Sequence, residues 1–202
     1  MADWLAALLD AAGVARAFCA GHSMGSLIAL DFAARYPERA SHLALLATAA
    51  PMAVSDALLD AAANREPDAI AMVNQWSHST IAAKPSCPAP GFWLHGMNQR
   101  LMERVAATGE PRLFHTDFSA CNGYTEGIAR AAQVRCPVRL IVGQRDAMTP
   151  PRTARALADA FAHAGVAADT VTLDAGHALM SEQPDAPIDA LFTFASRPAA
   201  TS

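Results

Sequence analysis

Charge is scarce in this chain. Of its 202 residues 17% are Asp, Glu, Lys or Arg, and aromatic residues make up 6%. The 15 basic residues are outnumbered by 19 acidic ones, a formal net charge of −4 at pH 7. Without a basic excess there is no electrostatic footprint for nucleic acid, and none for an anionic membrane surface. Long apolar runs are missing as well. The longest, 43–54, is interrupted by Pro51 and falls short of the about 20 residues that a membrane-spanning helix needs. The first residues carry Asp3 and Asp10 and no basic start, unlike a secretory signal, so the expected compartment is the cytoplasm. The four cysteines, Cys19, Cys87, Cys121 and Cys136, have no paired spacing, which excludes a zinc-binding pattern and a disulfide framework. Cys19 and Cys136 abut apolar runs and are expected to act as small core residues. No metal or organic cofactor is implied.

What the chain does contain is apolar substance, 52% of its residues, arranged in alternating strand and helix patterns. Residues 17–20, 43–48, 137–143 and 169–173 read as strands. The run 43–48 is apolar throughout, as suits a parallel sheet covered on both faces. Residues 3–12, 26–35 and 152–163 read as helices, and 118–133 as one more that returns the chain to the sheet. Such alternation means α/β architecture, a mostly parallel sheet flanked by helices, within a single domain 1–202. From about 50 to 116 the pattern changes to helices alone, at 55–64, 68–75 and 98–107, with a loop at 84–91 that holds Pro85, Pro88 and Pro90. This stretch is expected to be a helical cap inserted into the domain.

The most informative segment is Gly21-His22-Ser23-Met24-Gly25, between a short apolar run and a helix-forming one. The Gly-x-Ser-x-Gly spacing at a strand-to-helix junction describes a nucleophile elbow, a strained turn that lifts the Ser23 hydroxyl above the sheet. A serine hydroxyl needs a base to take its proton, and that base needs an acid to fix its tautomer. Asp146 follows the third strand run and His177 the fourth, each on a loop just past the strand end. Asp174, near His177, is a rival for the acid, and Asp146 is preferred only by the family pattern that these residues resemble. Ser23, Asp146 and His177 thus stand in the order Ser, Asp, His.

These pieces resemble the α/β-hydrolase fold superfamily, in particular its capped, serine esterase-like members. The resemblance is carried by Gly-His-Ser-Met-Gly, by Ala33-Ala34-Arg35-Tyr36-Pro37-Glu38-Arg39, by Gly143-Gln144-Arg145-Asp146 with its double proline, and by Gly176-His177 followed by Gln183-Pro184. It implies a partial α/β-hydrolase core with a helical cap insertion, and an oxyanion hole that includes the backbone N–H of Met24. It also implies strands and an oxyanion loop ahead of the elbow, for which the 22 residues before Ser23 leave no room. The domain is therefore expected to be N-terminally incomplete. Its first strand would then be an open edge, where a homodimer could pair. Trp93-Leu94-His95-Gly96 imitates the missing His-Gly element but follows the elbow, so His95 is expected to cover the pocket instead.

The expected chemistry is hydrolysis of a small, fairly apolar carboxylic ester or related acyl substrate through a Ser23–His177–Asp146 triad and an acyl-enzyme. His22, Trp76, Trp93 and Met97 are the candidate substrate contacts, with Phe92 and Met102 as further apolar residues that line the pocket or pack the cap onto the core. His42, His78, His115 and His163 are expected at the surface or in the cap. The alternative is a non-catalytic ligand-binding or partner-completed module, inactive because the oxyanion loop is missing.

Overall fold

The short apolar runs become four strands: β1 (Ala17–His22), β2 (Ala40–Leu46), β3 (Val138–Gly143) and β4 (Ala168–Leu173). They are known from a computed structural model that describes residues 1–79 and 93–197. The strands form one parallel sheet in the order β1-β2-β3-β4, with Gly21 beside Leu45, Leu45 beside Leu140 and Leu140 beside Thr170. β3 is buried at every position and β2 at all but Ser41, as central strands covered on both faces must be. β4 alternates exposed and half-buried residues, the pattern of a sheet margin. β1 lies at the other margin, and its Ala20 is exposed.

Side chains of β2 alternate between two cores. Leu43 and Leu45 point to one face, where they meet Ala2 and Ala6 of helix α1 (Ala2–Ala11), Phe32 and Ala33 of α2 (Met24–Arg35), and Leu157 and Phe161 of α8 (Arg155–His163). Ala44 and Leu46 point to the other, against Leu179 of α9 (Leu179–Glu182) and Ala190 and Phe194 of α10 (Asp185–Ala195). Leu30, Phe32, Leu157, Phe161 and Phe194 are 0% exposed. Burying each such side chain contributes about 1.5–3 kcal/mol before the entropy of ordering is counted.

Two residues of the sheet depart from expectation. His42 is not on the surface: it sits buried in β2 between the rings of Phe18 and Phe194, at centroid distances of 6.0 and 5.2 Å. The strand begins three residues earlier than its apolar run, so a polar residue is carried into the layer under α10. Arg139 is likewise buried in β3. It forms two hydrogen bonds to Asp169, at 2.8 and 2.6 Å, and lies over the Phe194 ring.

Between β2 and β3 the described residues form helices α3 (Asp56–Asn64), α4 (Glu66–Ser77), α5 (Leu94–Ala106), α6 (Leu113–Gly123) and α7 (Gly127–Ala131). The Ser55 hydroxyl accepts from the Leu58 N–H and caps α3. Asn74, fully buried in α4, holds α5 by donating to the His95 carbonyl at 2.9 Å and accepting from Asn98 at 2.8 Å. The single helix expected over 118–133 is two helices. The chain turns extended at Tyr124, and Gly127 then passes so close to Ala50 that a Cβ on it would lie 2.9 Å from the Ala50 side chain. The proline loop at 84–91, Cys87 and Phe92 lie outside the described residues.

Candidate active site

The elbow is built from backbone sterics. Ser23 joins β1 to α2 with φ 52° and ψ −122°, a conformation that costs a non-glycine residue about 1–3 kcal/mol. Three contacts hold it there. The Ser23 N–H donates to Leu46 O at 2.9 Å, and the fully buried Ser26 hydroxyl lies 2.6 Å from Ser23 O and 2.8 Å from the Thr48 hydroxyl. Gly21 is required because a Cβ there would lie 2.1 Å from the Gly25 carbonyl oxygen. Gly25 is not required on the same ground: a Cβ there meets nothing within 4 Å among the described residues.

The acid and the histidine come from neighbouring loops that touch backbone to backbone. A Cβ on Gly143 would lie 2.4 Å from Gly176 O, and the Arg145 N–H donates to Ala175 O at 2.9 Å. This contact brings Asp146, after β3, next to His177, after β4. Both are 4% exposed. One oxygen of Asp146 accepts from the backbone N–H groups of Met148 and Thr149, each at 2.8 Å. The other accepts from the Thr149 hydroxyl at 2.7 Å and from His177 Nδ1 at 2.9 Å. That carboxylate fixes the proton of the neutral imidazole on Nδ1 and leaves the Nε2 lone pair free. Burial alone would push the Asp146 pKa up from 3.8, but His177, through hydrogen bond and charge, together with Thr149, outweighs it and holds the carboxyl below its ordinary value. Asp174, the rival acid, is instead paired with Arg145 at 2.8 Å.

His22 and Glu182 steady the same loop. His22 Nε2 lies 2.8 Å from His177 O. Burial, then the neighbouring His177, pushes the His22 pKa down to about 4, so the ring is neutral and its N–H is the donor. Glu182, 1% exposed, accepts from Ser79 N and Oγ, both at 2.6 Å, and from Gly176 N at 3.1 Å. Its carboxylate thus ties the histidine loop to the end of α4. Sequence reasoning missed the roles of Ser26, Thr149 and Glu182. The only signal for Glu182 was a carboxylate five residues beyond His177 in an otherwise apolar helix start.

Ser23 and His177 open onto one cavity of about 520 Å³. Its walls are Met52 and Val54 ahead of α3, Leu58 from α3, Trp76 from α4, Phe114 and Phe118 from α6, and Met148 beside Asp146. Trp76 lines this cavity, as does Met24. Trp93 and Met97 do not; they lie half-exposed in a separate groove with Arg100 and Arg104. The helical turn between positions 93 and 97 places both on the outer face of α5, while Met102 packs with the core of α3 and α4. His95 stacks on Trp93 and accompanies Asn74, and is not part of the cavity wall. Phe114, Phe118 and Asp117 were missed, although 114, 118 and 121 have the i, i+4, i+7 spacing of one helical face. Among the described residues no group of three His, Cys, Asp or Glu is placed to hold a metal ion, and no helix is long and apolar enough to cross a membrane.

A strand–elbow–helix serine after β1, with an aspartate loop after β3 and a histidine loop after β4 of the same parallel sheet, defines a particular class of α/β protein. The chain belongs to the alpha/beta hydrolase fold family, which matches residues 1–184. It is 30% identical over 181 residues to the pimeloyl-[acyl-carrier protein] methyl ester esterase of Chromobacterium violaceum, covering 79% of this chain. The match spans 63% of that esterase's length. Among solved structures it is similar to the enol-lactonase of Burkholderia xenovorans LB400, with a TM-score of 0.78 at 23% identity over 97% of this chain and 72% of the other. An esterase from Exiguobacterium antarcticum superposes with a TM-score of 0.77 at 14% identity, over 98% of this chain and 73% of that one. These two likenesses concern the fold.

Proposed function

We propose that this protein is a serine hydrolase that cleaves small, fairly apolar carboxylic esters through an acyl-enzyme. The reading is carried by one observation: a buried Asp146–His177 hydrogen bond whose imidazole shares a cavity with the elbow serine. Ser23 Oγ attacks the carbonyl carbon, and His177 Nε2 takes its proton as the tetrahedral intermediate forms. The intermediate collapses, the ester C–O bond breaks, and the alcohol leaves with the proton from Nε2. Water then repeats the sequence on the acyl-serine and releases the acid. Asp146 stabilises the imidazolium formed in each half-reaction.

The oxyanion is met by the N–H of Met24. That group opens α2 and has no acceptor one turn back, so it projects with the positive end of the helix. Helices α3 to α6 act as the cap, and their apolar side chains favour a hydrophobic acyl or alkoxy group over water. The curated relative's name, a methyl ester esterase, and the lactonase among the structural neighbours both support ester chemistry.

Hydrolysis of p-nitrophenyl and methyl esters of C4 to C8 acids tests the proposal. Turnover that disappears in Ser23→Ala supports it. Turnover untouched by that change contradicts it, and a folded protein that binds such esters without cleaving them favours a binding module.

A further inference from the structure

One charged group in the cavity wall has no part in the chemistry above. Asp117 lies on α6 between Phe114 and Phe118 and faces the same cavity as Ser23 and His177. The other oxygen- and imidazole-bearing side chains there have assigned parts, while the Trp76 indole N–H and the Cys121 thiol carry no charge. Thr149 and His177 bond Asp146, the Ser55 hydroxyl caps α3, and Ser23 is the nucleophile of the proposed reaction. The Asp117 carboxylate makes no hydrogen bond or ion pair among the described residues, and burial alone pushes its pKa up from 3.8. Among the described residues His177 is the sole cationisable one in the wall, and its Nδ1 is taken by Asp146.

We infer that Asp117 is a specificity-determining residue, and that the cavity takes ligands whose apolar chain ends in a hydrogen-bond-donating cation, a primary ammonium group. An ionised carboxylate only accepts, so it is satisfied by N–H or O–H donors and repels a carboxylate-ended chain. Partial enclosure by Met, Phe and Leu side chains lowers the local dielectric, which strengthens both effects. Water left on this carboxylate is displaced at a loss by a purely apolar ligand and at no such loss by an ammonium group. The inference rests on the reading of this cavity as the substrate site and names the class of substrate that the site selects.

Titration calorimetry of the Ser23→Ala protein with hexylammonium and with hexanoate tests it apart from catalysis. Hexylammonium binds roughly 10- to 100-fold more tightly, the range of one charge-assisted hydrogen bond, and Asp117→Asn in the same background brings the two ligands within about twofold. Equal affinities, a preference for hexanoate, binding of neither ligand, or a preference that survives Asp117→Asn each overturn the inference. With Ser23 intact, the p-nitrophenyl ester of 6-aminohexanoic acid has a higher kcat/KM than that of the mono-ester of adipic acid, and Asp117→Asn removes the difference. Loss of all ester turnover while the ammonium preference persists overturns the hydrolase reading and leaves this one standing.

Discussion

Two carboxylates stand near the same cavity in opposite kinds of surroundings: Asp117 in its wall, Asp146 buried behind His177. Asp146 stands in a loop where a backbone N–H pair, a hydroxyl and an imidazole converge on it, and its pKa is held below the ordinary value. Asp117 stands on a helix among phenylalanines with no bond partner among the described residues, and its pKa shifts the other way. The first is a group whose bonds are complete before any ligand arrives, which is how a positioning acid must be built. The second still has its bonding to do. One residue type thus serves two ends, and the surroundings decide which.

Substitution separates the two most sharply. Asp146→Asn keeps the shape but offers His177 an amide, which tolerates the wrong tautomer, so kcat for ester hydrolysis falls by about 10⁴-fold. A loss smaller than tenfold would remove Asp146 from the mechanism. The same change at Asp117 leaves the urea midpoint unchanged or raises stability by up to about 1 kcal/mol, since it neutralises a charge with no partner. A clear destabilisation there would show a bond partner beyond those the described residues supply.

The elbow offers the next test. Gly21→Ala forces a Cβ onto the Gly25 carbonyl and costs about 3 kcal/mol or more, whereas Gly25→Ala stays within about 1 kcal/mol because that space is open. Equal costs in denaturant unfolding would mean that the turn is closed by something other than these contacts.

Acid should find the imidazole beside the site before it finds Asp146. The folded chain keeps His22 neutral down to about 4, while the unfolded chain takes up that proton from 6.5 downwards. The unfolded state binds more protons in this window, so stability is lost as pH falls from 6.5 towards about 4, by about 3 kcal/mol for this residue. Asp146 adds a further loss below its ordinary value of 3.8, because there its depressed carboxyl is protonated more readily in the unfolded chain. His22→Gln keeps a donor for His177 O and flattens the slope of stability against pH above about 4. An unchanged slope would put the acid sensitivity elsewhere.

Sequence reading reached the sheet and the serine because both leave short-range marks. Apolar runs of strand length show a covered parallel sheet, and a strained turn needs Gly21 two residues before Ser23. Asp146 and His177 were legible from their place just after strands. What lay beyond reading was settled by neighbours distant in the chain. His42 is buried because α10 covers its strand, and α6 stops at Tyr124 because Gly127 must pass Ala50. Trp93 and Met97 have the composition of a pocket wall, but the turn of α5 faces them outwards. Asp117 looks like one more polar residue on a helix until Phe114 and Phe118 are seen to turn the same face inwards.

The account stands on Ser23 being an activated nucleophile, and a fluorophosphonate probe asks this without a substrate having to be guessed. It predicts one covalent label per chain, mapped to Ser23 by peptide mass spectrometry, absent in Ser23→Ala and slowed at least about 10³-fold in His177→Ala. A folded protein that takes no label, or takes it on another residue, would contradict it.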